Sequence, residues 1–134
     1  MNIEYKDTHT FSEKELERLF LSVDWSSGHF PDKLKIAMEN FSIVYSAWDE
    51  NKLVGMVCAM DDGVMNAYVH YLLVDPGYQG QGIGRTLVDM IKKKYSEYLR
   101  IVLVAYNDEI SFYEACGFKK NDKASAMSIT SLWT

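Results

Sequence analysis

Four of the chain's eight glycines, Gly77, Gly80, Gly82 and Gly84, fall in one stretch of eight residues. The stretch directly follows an apolar run, Ala67–Val74, and precedes Leu87, Val88, Met90 and Ile91 at helical spacing. Glycine lets the backbone approach a ligand closely, and the first turn of a helix offers unpaired N–H groups at the positive end of its dipole. Such a strand-loop-helix unit suits phosphate oxygens; a tight turn that only needs positive φ is the competing reading. The stretch contains no GxxxxGK[ST], and Gly80-x-Gly82-x-Gly84 departs from GxGxxG, so ATP and NAD are disfavoured while a pyrophosphate group remains.

The surrounding elements limit what this unit can join. Ser12 and Glu15 have capping-box spacing, and Phe11 and Leu16 have hydrophobic-staple spacing, so a helix opens there and runs with Leu16, Leu19, Phe20 and Val23 inward to about Asp24. Pro31 suits the first turn of a second helix reaching Asn40. Ser42–Trp48, Leu53–Met60 and Ala67–Val74 are β-prone runs separated by polar turns and predict an antiparallel meander. After the glycine loop and its helix come the apolar run Ile101–Ala105, a short helical segment around Ile110–Ala115, and a last β-prone stretch near Met127–Trp133. No linker or repeat interrupts this order, so residues 1–134 read as a single α+β (mixed α/β) domain.

At 134 residues, 48% of them hydrophobic, the chain can build a core without staples. Its net charge of −5 disfavours a nucleic-acid partner read through a broad basic face. The acidity is concentrated: residues 1–67 carry 12 Asp and Glu against 6 Lys and Arg, and residues 68–134 carry 7 against 8, so that of two ligands the cationic one belongs with the first half; an ordinary solvated acidic surface explains the asymmetry equally. Cys58 and Cys116 form neither a CxxC nor a set with ligand-spaced histidines, so no metal site and no disulfide is expected, and a reducing cytoplasm is. No apolar run approaches the length of a membrane span, and the first ten residues lack the regions of a signal peptide, so no membrane partner is expected.

The segment Leu72-Leu73-Val74-Asp75-Pro76-Gly77-Tyr78-Gln79-Gly80-Gln81-Gly82-Ile83-Gly84-Arg85 resembles the acetyl-CoA signature of the GNAT superfamily of N-acetyltransferases, whose core is [QR]-x-x-G-x-[GA]; Gln79, Gly82 and Gly84 fill its fixed positions. Downstream, Phe112-Tyr113-Glu114-Ala115-Cys116-Gly117-Phe118 resembles the family's FYExxGF segment. The resemblance implies a mostly antiparallel sheet of about six to seven strands flanked by helices and splayed between its fourth and fifth strands. It also implies acetyl-CoA as donor and cofactor, held by Leu72, Leu73, Val74, Gln79, Gly80, Gln81, Gly82, Ile83, Gly84 and Arg85, with contacts from Asn107 and Tyr113. Asn107 stands six residues before Tyr113 where the family pattern has seven.

Direct transfer to a primary amine makes three chemical demands: a neutral amine, a stabilised oxyanion and a protonated thiolate. The resemblance assigns the last to Tyr113. Neither strand that would flank the reaction contains a carboxylate, so His70 is the candidate base, with Asp24, Asp61 and Asp62 behind it. Trp25 and Phe30 fall where the family lines its acceptor pocket; ordinary packing would explain them equally. The acceptor is a small-molecule or protein amine, and a homodimer through the last strands, with Trp133 exposed, is the oligomeric expectation. The alternative is a non-catalytic acyl-CoA-binding or sensing module.

Overall fold

A computed structural model describes all residues except Met1, Ser131 and Trp133. The described residues hold five strands and four α-helices in the order β1 (Ile3–Lys6), α1 (Glu13–Ser22), α2 (Pro31–Asn40), β2 (Ile43–Asp49), β3 (Lys52–Asp61), β4 (Asn66–Val74), α3 (Ile83–Lys94), β5 (Arg100–Leu103) and α4 (Ile110–Ala115). The strands form one open sheet in chain order, antiparallel from β1 to β4 and parallel between β4 and β5. A parallel neighbour requires a crossover, and the glycine loop with α3 supplies it.

The local devices behave as their chemistry dictates. Glu15 N–H donates to Ser12 Oγ at 3.2 Å and Ser12 N–H to Glu15 Oε2 at 2.7 Å, completing the capping box. Phe11 and Leu16 enter the same buried cluster, and Phe11 stacks on Trp48 with ring centroids 6.1 Å apart. Pro31 occupies the first turn of α2.

The sheet carries a core on each face. Leu16, Leu19 and Phe20 of α1 and Met38 of α2 pack on Val44, Leu53, Met56 and Leu73, while Ile83, Leu87 and Ile91 of α3 pack on Val54, Val57, Ala67 and Val69. Burial of so many apolar side chains on both sides is the main source of stability. Gly55 lets α3 close onto the sheet: a Cβ there would lie 3.3 Å from both Ile83 Cγ2 and the carbonyl oxygen of Leu73.

Two expectations are corrected. Among the described residues the sheet has five strands rather than six to seven, and its first, Ile3–Lys6, lies in a segment where the sequence signals no strand, being four residues long and half-exposed. The stretch from Met127 forms no strand among the described residues; its alternation needs a partner to bury one side, and Met127 and Ile129 are fully exposed. The expectation for Trp133 lies outside the described residues.

Candidate active site

The sheet opens along β4. Its pairing with β5 runs from Asn66–Arg100 to Val69–Leu103 and stops, whereas β4 continues to Val74. On the β3 side Val57 pairs with Leu72 and Ala59 with Val69, so Cys58 alone faces the two residues His70 and Tyr71. That is a β-bulge, and it resets the alternation of the strand. Before it, Ala67 and Val69 pack toward α3; after it, Leu72 and Val74 do, and Tyr71 and Leu73 turn to the α1 side. Neighbouring strand residues ordinarily point to opposite faces, yet the rings of His70 and Tyr71 stand only 4.3 Å apart.

Beside this freed half-strand lies a cleft of about 630 Å³. The bulged end of β4 forms one wall, the glycine loop and the start of α3 the second, and the segment from Val104 to Tyr113 the third. At the loop, Gln79 Nε2 donates to the carbonyl oxygen of Val74 at 3.0 Å and ties the loop to the strand end, while Asp75 accepts from Gly77 N–H at 2.8 Å. Gly80 and Gly82 adopt φ of +80° and +84°, and nothing lies within 4 Å of where a Cβ would stand on either. Gly82 is the N-cap of α3 and no side chain caps that helix, so its first N–H groups remain available to an anion. This empty, donor-rich cradle fits a pyrophosphate. Gly84 has a different duty: a Cβ there would meet Phe112 Cζ at 3.4 Å, so its absence lets α4 close over α3.

Tyr113 is half-buried between Phe112 and Phe118, with ring centroids at 5.1 and 5.9 Å. Burial, then the charges of Glu109 and Cys116, push its phenol up to about 12. It is therefore neutral throughout the physiological range. His70 retains contact with solvent but stands among the rings of Phe41, Tyr68 and Tyr71, and their desolvation lowers its pKa from the ordinary 6.5. At neutral pH it is an unprotonated imidazole able to accept a proton.

Comparison with known proteins places this arrangement. Residues 40–120 match the family model described as an acetyltransferase (GNAT) domain. The chain belongs to the GNAT family of acetyltransferases. An uncharacterized N-acetyltransferase, ycf52, of Pyropia yezoensis is 35% identical over 130 residues, taking in 89% of this chain and 74% of the relative. A histone acetyltransferase of Glycine max is 31% identical over 118 residues, covering 78% of this chain and 51% of its own length. Among solved structures, a GNAT-family acetyltransferase from Streptococcus pneumoniae superposes with a TM-score of 0.82 at 24% identity, covering 97% of this chain and 99% of that one, so the fold is shared.

This acetyltransferase gathers most of the residues expected from its sequence into one place. Tyr113, His70, Trp25, Leu72, Leu73, Val74, Gln79, Gly80, Gly82, Ile83, Gly84 and Arg85 all line the cleft. Gln81, Asn107 and Phe30 do not: Gln81 and Phe30 are exposed, and Asn107 starts a single 3-10 turn, leaving Tyr106 on the cleft wall. None of Asp24, Asp61 and Asp62 reaches it. Asp62 accepts N–H bonds from Val64, Met65 and Asn66, which hold its carboxyl far below the usual range, and Asp61 accepts from the Tyr95 hydroxyl at 2.7 Å. Cys116 is buried and outside the cleft.

Sequence reasoning missed Glu109, Tyr71 and Thr134. Glu109 is the one carboxylate side chain on the cleft wall among the described residues. Its position four residues before Tyr113 on a helical turn was the available signal. Thr134 carried no signal.

Proposed function

We propose that this acetyltransferase moves the acetyl group of acetyl-CoA directly to a primary amine, in a complex holding both. The observation that carries the proposal is the meeting, in one cleft, of an unpaired bulged strand end, an uncapped helix start with an open glycine cradle, and a buried neutral tyrosine. Acetyl-CoA, when bound, supplies an activated acyl thioester.

The chain's own groups would then act as follows. N–H groups of the α3 start, with Gly80, Gly82 and Arg85, receive the pyrophosphate, a local answer to the problem of binding phosphates with a net charge of −5. The β4 backbone from His70 to Val74, free of β5, offers N–H donors to the carbonyl oxygen as negative charge gathers on it. Tyr113 O–H donates to the departing sulfur. Its pKa of about 12 lies well above that of an ordinary thiol, roughly 8.5, so full proton transfer is uphill and the phenol acts chiefly as a hydrogen-bond donor. His70 takes the ammonium proton, directly or through water.

The free, buried cysteines suit a reducing compartment, and relatives named chloroplastic from Arabidopsis thaliana make a plastid as suitable as the cytoplasm. No helix among the described residues is long and apolar enough to cross a membrane. The test is free-thiol release from acetyl-CoA in the presence of a panel of alkyl, aryl and peptide amines. Thiol release that depends on amine is the expected result. CoA binding without thiol release for every amine would leave the non-catalytic acyl-CoA-binding module.

A further inference from the structure

The end of the cleft beside Trp25 and Tyr71 already receives a polar group, supplied by the chain itself. The main-chain oxygen of Thr134 accepts from Ser27 N–H at 2.7 Å, from Ser27 Oγ at 2.8 Å and from Ser26 Oγ at 2.8 Å. Ser26 N–H donates to Thr134 Oγ1 at 2.8 Å, and Ser26 Oγ lies 2.8 Å from that same hydroxyl. Behind them, the Tyr71 hydroxyl lies 3.0 Å from Ser27 Oγ. Because the Ser27 proton is directed at Thr134, the phenol is the donor, giving a relay from Tyr71 through Ser27 to the tail. Ser27 is only 8% exposed, one of two buried polar residues among those described.

Three donors converge on the position of one oxygen, and donors of this kind bond a charged carboxylate oxygen about twice as strongly as a neutral carbonyl. A buried Ser27 also needs a partner whenever the tail departs, since an unmet buried hydroxyl is costly. Whatever replaces Thr134 must bring the same kind of oxygen. We propose that Ser26, Ser27 and Tyr71 form a subsite for the carboxylate of the amine acceptor, so that the favoured acceptor is an amino acid or peptide-like amine bearing a carboxylate, and that Thr134 competes for this subsite. The inference rests on the acetyl-transfer reading for the word acceptor; the subsite itself rests on the contacts above.

The probe is N-acetyl-L-threonine, which carries a carboxylate beside the same hydroxyl that Thr134 presents, compared with N-acetyl-L-threonine amide by NMR titration near neutral pH. A chain ending at Thr130 should bind the acid about tenfold more tightly than the full chain does, and about tenfold more tightly than it binds the amide, the size of one charge-assisted hydrogen bond. Ser27→Ala in the shortened chain should erase the preference for the acid. Equal binding of acid and amide, or no gain on shortening, overturns the proposal. Should the shortened chain not fold, amide exchange at residues 26 and 27 of full-length Ser27→Ala gives the answer, since both N–H groups donate to Thr134: it should quicken about tenfold, and unchanged exchange defeats the idea. A CoA titration of the same samples reads the acetyl-transfer proposal separately, because loss of CoA binding with the acid preference intact would sink that reading alone.

Discussion

Residues 66–69 and residues 70–74 belong to one strand, but the first group is hydrogen-bonded on both edges and the second on one. In the first, Ala67 and Val69 are almost wholly buried and tie the sheet to α3. In the second, a single extra residue at His70–Tyr71 resets the alternation and leaves backbone and side chains on the wall of a cleft. The difference teaches that a sheet can build a binding site by withholding a neighbour rather than by adding a loop. The N–H groups that a complete sheet would consume become the means of binding.

Four measurements would break or sharpen this contrast. The largest effect is expected where the open half meets the glycine loop. Gly82→Asp puts a carboxylate into a space empty of neighbours, at a φ of +84° that aspartate tolerates better than most residues, and should lower CoA affinity about 10³-fold while leaving the melting temperature nearly unchanged. Calorimetric titration decides it, and unaltered affinity in a folded variant would remove the phosphate role from the loop. Next comes Tyr113→Phe, which should lower kcat about 10²-fold with CoA affinity intact, since the donor acts only as sulfur departs. A kcat near that of the parent would reduce Tyr113 to a packing residue.

The closed half should answer in stability instead. Val69→Ala hollows the contact between β4 and α3 and should cost about 2 kcal/mol of unfolding free energy, leaving CoA affinity within about twofold. A variant that kept its stability and lost its ligand would erase the division between the halves. The smallest and most informative effect concerns His70. With its pKa lowered by burial among aromatic rings, kcat/KM should rise with pH through a limb below 6.5 and then stay level, since Tyr113 remains protonated until near pH 12. His70→Ala should remove the limb; a profile that overlays the parent would pass the proton to solvent or Glu109.

Much of the contrast could be read in the sequence, and the unread part has a common cause. The capping box at Ser12, the start of α2 at Pro31, the meander and the strand-loop-helix around Gly80–Gly84 are each encoded within a few neighbouring residues, so local pattern reveals them. The bulge is not encoded locally. It depends on how β3 and β4 settle against one another, and an extra residue in an apolar run leaves no mark on composition. Strand β1 is equally silent, because Ile3–Lys6 becomes a strand only through pairing with Ser46–Asp49. Asn107 illustrates the converse: a familiar residue type one position away from its expected place falls outside the cleft and leaves Tyr106 on its wall. The contacts of Thr134 with Ser26 and Ser27 span 108 and 107 positions of chain, a distance over which no pattern carries.

The parallel pairing of β5 with β4 also has a meaning in time. Strands β2 to β4 close through two hairpins, whereas β5 can join only after the glycine loop and α3 have crossed back over the sheet. Loop-closure entropy makes such a joining late, so the meander should gain protection against pulse-labelled hydrogen exchange before Arg100–Leu103 does; simultaneous protection would contradict this order. The third wall of the cleft follows β5 in the chain. A molecule arrested before that last pairing would possess most of its core and none of its chemistry, and a ligand that bridges α3 and the wall beyond β5 would act as the clasp that ends folding.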